Sequence, residues 1–365
     1  MTLLLFLVIL SILVFVHELG HFWVAKKNGI LVEEFGFGLP PRIWGKKVGE
    51  TVYSINALPI GGFVKLYGED QIEDSERAFF AQSKLVRAAV LLAGVSMNFL
   101  LGVVLFSVIY TVMGIPTASG RVVIEGVMPN SPAQLAGIQA GEQIYLVEGK
   151  VVTISDDFVN LVGQKVGGEV ELLVGKDGGQ QYGRVVRLVP RKDPPAGEGA
   201  LGVVVSSTEM RHYPMWQMPV RGAWYGLKEA LAWGGMIFTE IVRMISNLLV
   251  GILPADVGGP VRIYQATGEV AKGGVLLLLQ FMAILSVNLA VLNVLPLPAL
   301  DGGRLLFLAI ETVFRRRVHA RFEQITHAVG MVVLLGLMIL ITLNDVVQIT
   351  SSGSLWGLVK KVLPL

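Results

Sequence analysis

Residues 3–25 read LLLFLVILSILVFVHELGHFWVA. Positions 3–16 carry no charge, and Phe22, Trp23, Val24 and Ala25 extend the apolar run to Lys26 and Lys27. A run of this length matches the roughly 20 apolar residues a helix needs to cross a bilayer. Inside it stands His17-Glu18-Leu19-Gly20-His21, an H-E-x-x-H. On a helix that spacing puts two imidazoles at i and i+4 on one face, the geometry that binds zinc. The Glu between them is placed to act as general base toward a water. In a soluble chain the pattern arises readily by chance. Within an apolar span two His and a Glu are costly, so an intramembrane cluster of this kind marks a functional site.

Composition extends the membrane reading. Hydrophobic residues make up 53% of the chain and charged residues 16%, which predicts a polytopic α-helical membrane protein with room for one further domain. The net charge of +2 and the lack of a basic block exclude a nucleic-acid partner. There is no cysteine, which excludes disulfides and thiolate-ligated metals. No basic segment precedes the first apolar run, and cleavage after it would remove or strand the H-E-x-x-H. The run is therefore expected to be a retained span and not a signal peptide.

Four segments are long and apolar enough to cross: 3–24, 88–113, 275–297 and 325–343. A fifth, 223–252, mixes Lys228, Glu229, Glu240 and Arg243 with Trp224, Tyr225 and Trp233, which suits an amphipathic helix lying at the membrane surface. Lys26, Lys27, Arg42, Lys46 and Lys47 follow the first span, and Arg304, Arg315, Arg316, Arg317 and Arg321 separate the last two. Basic short loops stay in the cytoplasm. Residues 114–274 are then outside, provided 223–252 makes no single crossing; Lys360 and Lys361 run mildly against the rule. The expected organisation is a membrane half over 1–113, an outside domain over 117–206, a linker over 207–274 and a second membrane half over 275–365.

Two stretches read as β structure. Residues 30–66, with Phe35-Gly36-Phe37-Gly38, an alternating Val52/Tyr53/Ile55 and Gly61-Gly62-Phe63-Val64, predict short strands with glycine turns. Such a membrane-associated β-hairpin loop could offer an edge to an extended peptide, or be a plain cytosolic hairpin. Residues 117–206 are polar and glycine-rich, with strand patterns at 121–124, 144–147, 170–174 and 185–189. A helix is expected to open at Ser131, with Pro132 in its first turn, and to end at Gly137. The pattern S-P-A-x-x-A-G-I-x-x-G-E-x-I over 131–144 resembles a PDZ domain, and Gly199-Ala200-Leu201-Gly202-Val203 resembles the carboxylate-binding loop of a permuted bacterial one. Such domains take peptide ends by strand addition.

Catalytic zinc needs a third protein ligand and an open position. At the inner end of the third span the chain reads Asn293-Val294-Leu295-Pro296-Leu297-Pro298-Ala299-Leu300-Asp301-Gly302-Gly303-Arg304. Asp301 falls at the cytoplasmic end of that span, the depth at which loop charge also puts His17 and His21. It is either the third ligand or a solvated acid at a helix end, and the matched depth favours the ligand.

Taken together, these residues resemble the site-2 protease family of intramembrane zinc metalloproteases, in its bacterial PDZ-containing group of the RseP and RasP type. The motifs that carry the likeness are H-E-L-G-H, F-G-F-G, P-I-G-G-F-V-K, A-G-x-x-M-N-F, the PDZ-like pattern and N-V-L-P-L-P-A-L-D-G-G, in that order along nearly the whole chain. The resemblance implies one zinc ion per chain held by His17, His21 and Asp301, with Glu18 as base. It implies substrate contacts at Asn293, Asn98, Gly61 and Gly62. It also implies single-pass transmembrane substrates, such as anti-sigma factors or signal-peptide remnants, trimmed beforehand by another protease. The expected setting is a bacterial inner membrane, with the PDZ domain outside, facing a peptide or a substrate ectodomain, and the active site toward the cytoplasm. Val95 replaces the proline usual in the second-span motif, and one PDZ-like region stands where RseP carries two. Rival readings are a transporter with a polar path through its spans, or a scaffold that binds membrane peptides without cutting. The intact H-E-x-x-H argues against both. His212, His319 and His327 read as surface or interfacial side chains, and Met210, Met215, Met218 and Met236 as interfacial packing.

Overall fold

The first apolar run forms a single helix, α1 (Thr2–Lys27), closed by Lys26 and Lys27 in its last turn and by Gly29 in the left-handed region at φ +78°. The computed structural model describes residues 1–69, 75–176, 183–195, 197–251, 258–316 and 318–350. Arg317, Lys360 and Lys361, which entered the loop-charge argument, lie outside the described residues. Three more helices are long and apolar enough to cross a membrane: α2 (Lys84–Met113), α7 (Val275–Val294) and most of α9 (Ala320–Thr350). Their outward faces leave Leu92, Leu100, Val104, Leu277, Val332 and Ile339 exposed, as lipid-facing side chains would be.

The described chain divides into two compact units, Met1–Val112 with Pro219–Leu365, and Met113–Met218. In the first, α1 and α2 run antiparallel and touch backbone to backbone. A Cβ built at Gly20 would meet Ala93 O at 2.4 Å, so only glycine permits that approach. At one end of this pair Ala25, Ile30, Val32, Leu66, Phe79, Val90 and Leu91 form an apolar cluster. At that end too, Arg87 and Glu311 make a buried ion pair at 2.9 Å.

The loop after α1 is one hairpin, β1 (Val32–Val48) and β2 (Thr51–Leu66), as expected, with strands longer than the short ones read from the sequence. Glycines and bulges fold it back on itself. Phe35 pairs with both Tyr53 and Val64, while Lys46 pairs with Tyr53. The first part of β1 is thus central, and the end of β2, residues 62–66, is an edge beside α1.

The amphipathic segment is one helix, α5 (Met218–Leu249). Its first half differs from the surface-lying helix expected. A Cβ at Gly222 would strike Thr111, and one at Gly226 would strike Ser107. Ala230 is fully buried in a cluster with Leu105, Phe106, Ile109, Ala283 and Val287. Gly222, Gly226 and Ala230 form a small-xxx-small-xxx-small stripe that lets α5 lie along α2 and α7. Next, α6 (Pro260–Lys272) meets the start of α1 through Tyr264 and Phe6, whose rings are 6.1 Å apart. Its N-terminal amides at Gly259 and Arg262 donate to Asp345 near the end of α9. After α7, two prolines break the chain before α8 (Asp301–Phe314).

The second unit holds an antiparallel sheet of six strands ordered β7-β6-β4-β3-β8, with β5 paired to β4. These are β3 (Ile115–Val127), β4 (Gln143–Val147), β5 (Lys150–Val151), β6 (Val170–Gly175), β7 (Arg184–Leu188) and β8 (Val203–Arg211). Strand β8 was not expected. Two helices, α3 (Pro132–Leu135) and α4 (Ser155–Gly163), complete the unit. Ser131 Oγ accepts from Gln134 N at 3.2 Å and caps α3, with Pro132 at its first position. Ile124, Ile144, Val147, Phe158, Val170, Leu172 and Leu201 make the core.

Candidate metal centre

The helical spacing does what it predicts: His17 and His21 point the same way from α1, with Nε2 atoms 3.1 Å apart. The turn before α8 brings Asp301 Oδ2 to 3.1 Å from His17 Nε2 and 3.3 Å from His21 Nε2. Asp301 opens α8, where the helix N-terminus favours a carboxylate. All three side chains are largely buried. These are three ligand-type atoms from three residues gathered at one point.

The donor set fits zinc. Ligand atoms about 2.0–2.2 Å from a tetrahedral zinc lie roughly 3.3–3.6 Å from one another, and the observed separations come within about 0.2 Å of that range. Asp301 Oδ2 is buried and makes no hydrogen bond despite facing both imidazoles, so its satisfaction calls for a cation. His21 Nδ1–H donates to Val90 O at 2.8 Å, which leaves the Nε2 lone pair free to ligate.

Position 94 makes the site possible. A Cβ there would stand 2.3 Å from His21 Nε2 and 2.8 Å from His17 Cε1. Only glycine lets α2 pass behind both imidazoles.

Four further residues were expected here. Asn98 is buried on α2, its amide Nδ2 3.3 Å from His17 Nδ1 and its Oδ1 without a partner. Turning the amide over would set Oδ1 to accept from His17 Nδ1–H, with Nε2 left to ligate. Asn293, in the last turn of α7, brings Nδ2 to 3.4 Å from His17 Nε2. The two glycines serve close packing, Gly62 beside Glu18, whose Cγ a Cβ there would meet at 4.0 Å. A Cβ at Gly61 would meet Val14 at 2.8 Å, and one at Gly62 would meet Gly36 O at 2.9 Å, so their smallness lets the edge of β2 close on α1 and β1. Two residues further on, Val64 N donates to Glu18 Oε2 at 3.1 Å.

A cavity of about 650 Å³ opens on the three ligand-type side chains and Glu18. Phe63, Val64 and Leu66 of β2 contribute one part of its lining, and Asn293, Arg304, Glu323 and His327 bring polar groups to it. Arg304 pairs with Glu69, which also lines it. His327 therefore corrects the surface reading. Its Nδ1 accepts from Ala299 N at 2.9 Å, two residues before Asp301. No motif in the sequence flags it. The available signal was its place on the polar end of the last span, next to Glu323 and Gln324.

Among known families, the sequence model of peptidase family M50 matches residues 5–337. A provisionally named zinc metalloprotease of Clostridium perfringens is 37% identical over 341 residues, which cover 92% of this chain and 96% of that protein. The zinc metalloprotease RasP of Geobacillus kaustophilus is 30% identical over 423 aligned positions, covering 93% of this chain and 96% of that one. The chain belongs to peptidase family M50. It is a metalloprotease with several helices long and apolar enough to cross a membrane, and zinc is the metal that both the relatives' names and the two-imidazole, one-carboxylate donor set indicate.

Proposed function

We propose that this protein is an intramembrane metalloendopeptidase that cuts peptide bonds within or beside the transmembrane segments of single-pass membrane proteins. The observation that carries the reading is the hydrogen bond from Val64 N to Glu18 Oε2. It joins an edge strand's amide to the carboxylate placed between the metal-type histidines, inside one cavity bounded by crossing-length helices. An extended peptide added to that edge would lie beside both the base and the ligand set.

Bound at His17, His21 and Asp301, zinc would polarise the scissile carbonyl and make water a better nucleophile. Glu18 takes a proton from the attacking water and passes it to the leaving amine. Asn293 is placed to donate to the substrate carbonyl region, since its Nδ2 stands beside His17 Nε2. Asn98 orients His17. A helical substrate hides its own amides and carbonyls, so it must unwind before the edge at Gly62–Leu66 can take it.

The same reading assigns the rest of the chain. The start of α5 beside Thr111 and the contact of α6 with Thr2 lie at the end of the α1–α2 pair opposite Asp301. A linker that leaves and returns at one end supports an active site toward the cytoplasm and a 113–218 unit outside. That unit's capped α3, β8 and the Gly199–Val203 loop support a PDZ-type fold acting as a size filter, which would suit regulated intramembrane proteolysis of substrates trimmed by an earlier cut. The test is cleavage of tagged single-span proteins by the wild-type protein and by Glu18→Gln. Cleavage by the wild type alone, with zinc retained in both, is expected. Equal cleavage by both would remove Glu18 from the chemistry.

A further inference from the structure

His327 enters the cavity from α9, a helix that supplies none of the metal-type ligands. Its two ring nitrogens differ in what they meet. Nδ1 accepts the backbone hydrogen of Ala299 at 2.9 Å. An imidazole that accepts at Nδ1 is neutral and carries its proton on Nε2. Nε2–H is therefore a donor, and it is buried without a partner. Glu323, one turn earlier on α9, also leaves Oε2 buried and unpartnered, so the two do not satisfy each other. The ring is held from the side by Phe307, 5.8 Å away between centroids. Gly303 leaves room for it, since a Cβ there would come to 3.2 Å from His327 Cε1. A donor fixed in direction and buried, on a side chain that lines the cavity, is costly unless something accepts from it.

What the cavity is shaped to accept follows from strand geometry. A peptide added to the β2 edge pairs one alternating set of its carbonyls and amides with β2. The other set points away from β2 into the cavity and needs partners there. Among the described residues that line the cavity, three buried side-chain atoms lack a partner: Asp301 Oδ2, Glu323 Oε2 and His327 Nε2. The first two are carboxylate oxygens, which leaves His327 Nε2–H as the unpartnered donor.

We infer that His327 is a substrate-positioning residue: its Nε2–H donates to an outward-facing backbone carbonyl of the extended substrate, while its Nδ1 braces the Ala299 turn that carries Asp301. This rests on the peptide-cleaving reading above. The ligand it recognises is main chain, so the contact tolerates any side-chain sequence. It also makes α9 a clamp that senses whether an unwound strand is present.

The two nitrogens can be separated by substitution. Asn in place of His327 keeps an acceptor near Nδ1 and removes the reach of Nε2–H. Gln places an amide donor near Nε2 instead. The experiment measures kcat, KM and zinc affinity for wild type, His327→Asn and His327→Gln, with a fluorogenic single-span protein in detergent as substrate. Losing one neutral hydrogen bond made equally in the ground and transition states should raise KM about fivefold to tenfold in His327→Asn and leave kcat within about twofold. Zinc affinity should not move in His327→Asn, which keeps the Nδ1-type acceptor for Ala299 N, and His327→Gln should recover most of the KM loss. An unchanged KM in His327→Asn overturns the inference. A full wild-type KM in His327→Asn together with a fall in zinc affinity in His327→Gln would make His327 a brace of the Asp301 turn and nothing more. If the wild type cleaves no better than Glu18→Gln, the peptide-cleaving reading fails first and takes the inference with it.

Discussion

Adding one methyl group at Gly94 should remove zinc from this protein without touching a ligand. The new Cβ would sit 2.3 Å from His21 Nε2, 2.7 Å from His21 Cε1 and 2.8 Å from His17 Cε1. Carbon contacts are comfortable near about 3.5 Å, so the imidazoles must retreat by roughly 1 Å. Neither is free to do so at small cost. His21 Nδ1 is hydrogen-bonded to Val90 O, one turn away on the same helix as Gly94. Nor can α2 withdraw, because its Ala93 backbone already abuts Gly20 of α1. Metal sites tolerate ligand displacements of about 0.2 Å, so the forced shift is roughly five times too large. We expect Gly94→Ala to weaken zinc binding by about 100-fold, equivalent to about 2.7 kcal/mol, with a metal-free destabilisation of about 1–3 kcal/mol from overpacking. Competition with a chromogenic chelator on purified protein measures the first, and thermal melting of the metal-free protein measures the second. Gly336→Ala is the control, because a Cβ there meets nothing within 4 Å. A folded Gly94→Ala protein that binds zinc within about threefold of wild type would refute the packing argument and the site geometry it rests on.

Three further outcomes are expected. Asp301→Ala should lower zinc affinity by more than the roughly 10–100-fold typical of changes to residues that only orient a ligand, with activity falling in parallel; full occupancy by metal analysis would move the third ligand elsewhere. Replacing 117–206 by a short linker should leave cleavage of a trimmed single-span substrate intact and relax rejection of the same span carrying a bulky outside domain; a stable, zinc-loaded deletion that still rejects it would locate the filter elsewhere. Glu148 accepts from Glu171 N at 2.8 Å and pairs with Lys165, and these contacts hold its carboxyl below the ordinary 4.5. A depressed folded value gives stability that is fully present above the unfolded value and lost as pH falls through the folded one. The protection factor of the Glu171 amide, taken against intrinsic exchange at each pH, should therefore fall on acidification below about 4.5, and Glu148→Gln should flatten that response.

The elements that could be read in advance are those whose cause is local. An uninterrupted apolar run and its period gave the four crossing-length helices, and Ser131-Pro132 gave the start of α3 through cap chemistry alone. The i, i+4 spacing of His17 and His21 fixed their common face before any tertiary contact. Asp301 was found by matching depth, because two spans that enter from the same side put their inner ends at one level. What escaped the sequence depends on contacts between distant segments. The hairpin's double pairing follows from a fold-back that glycines and bulges permit and that alternation along one strand cannot show. The course of α5 escaped for a related reason: charges and aromatics dominated the reading of 223–252, while the stripe Gly222, Gly226, Ala230 gains meaning only once α2 offers it a wall. His327 is the sharpest case. It stands 28 residues from its partner Ala299 in a helix that supplies no member of the His17, His21, Asp301 cluster, so spacing says nothing about it. Its position follows from the requirement that the strained turn before Asp301, with Ala299 at φ +74°, have its exposed amide satisfied by something. A zinc ligand delivered by a broken helix needs a brace for that break. The brace has to come from whichever helix passes closest, which here is α9.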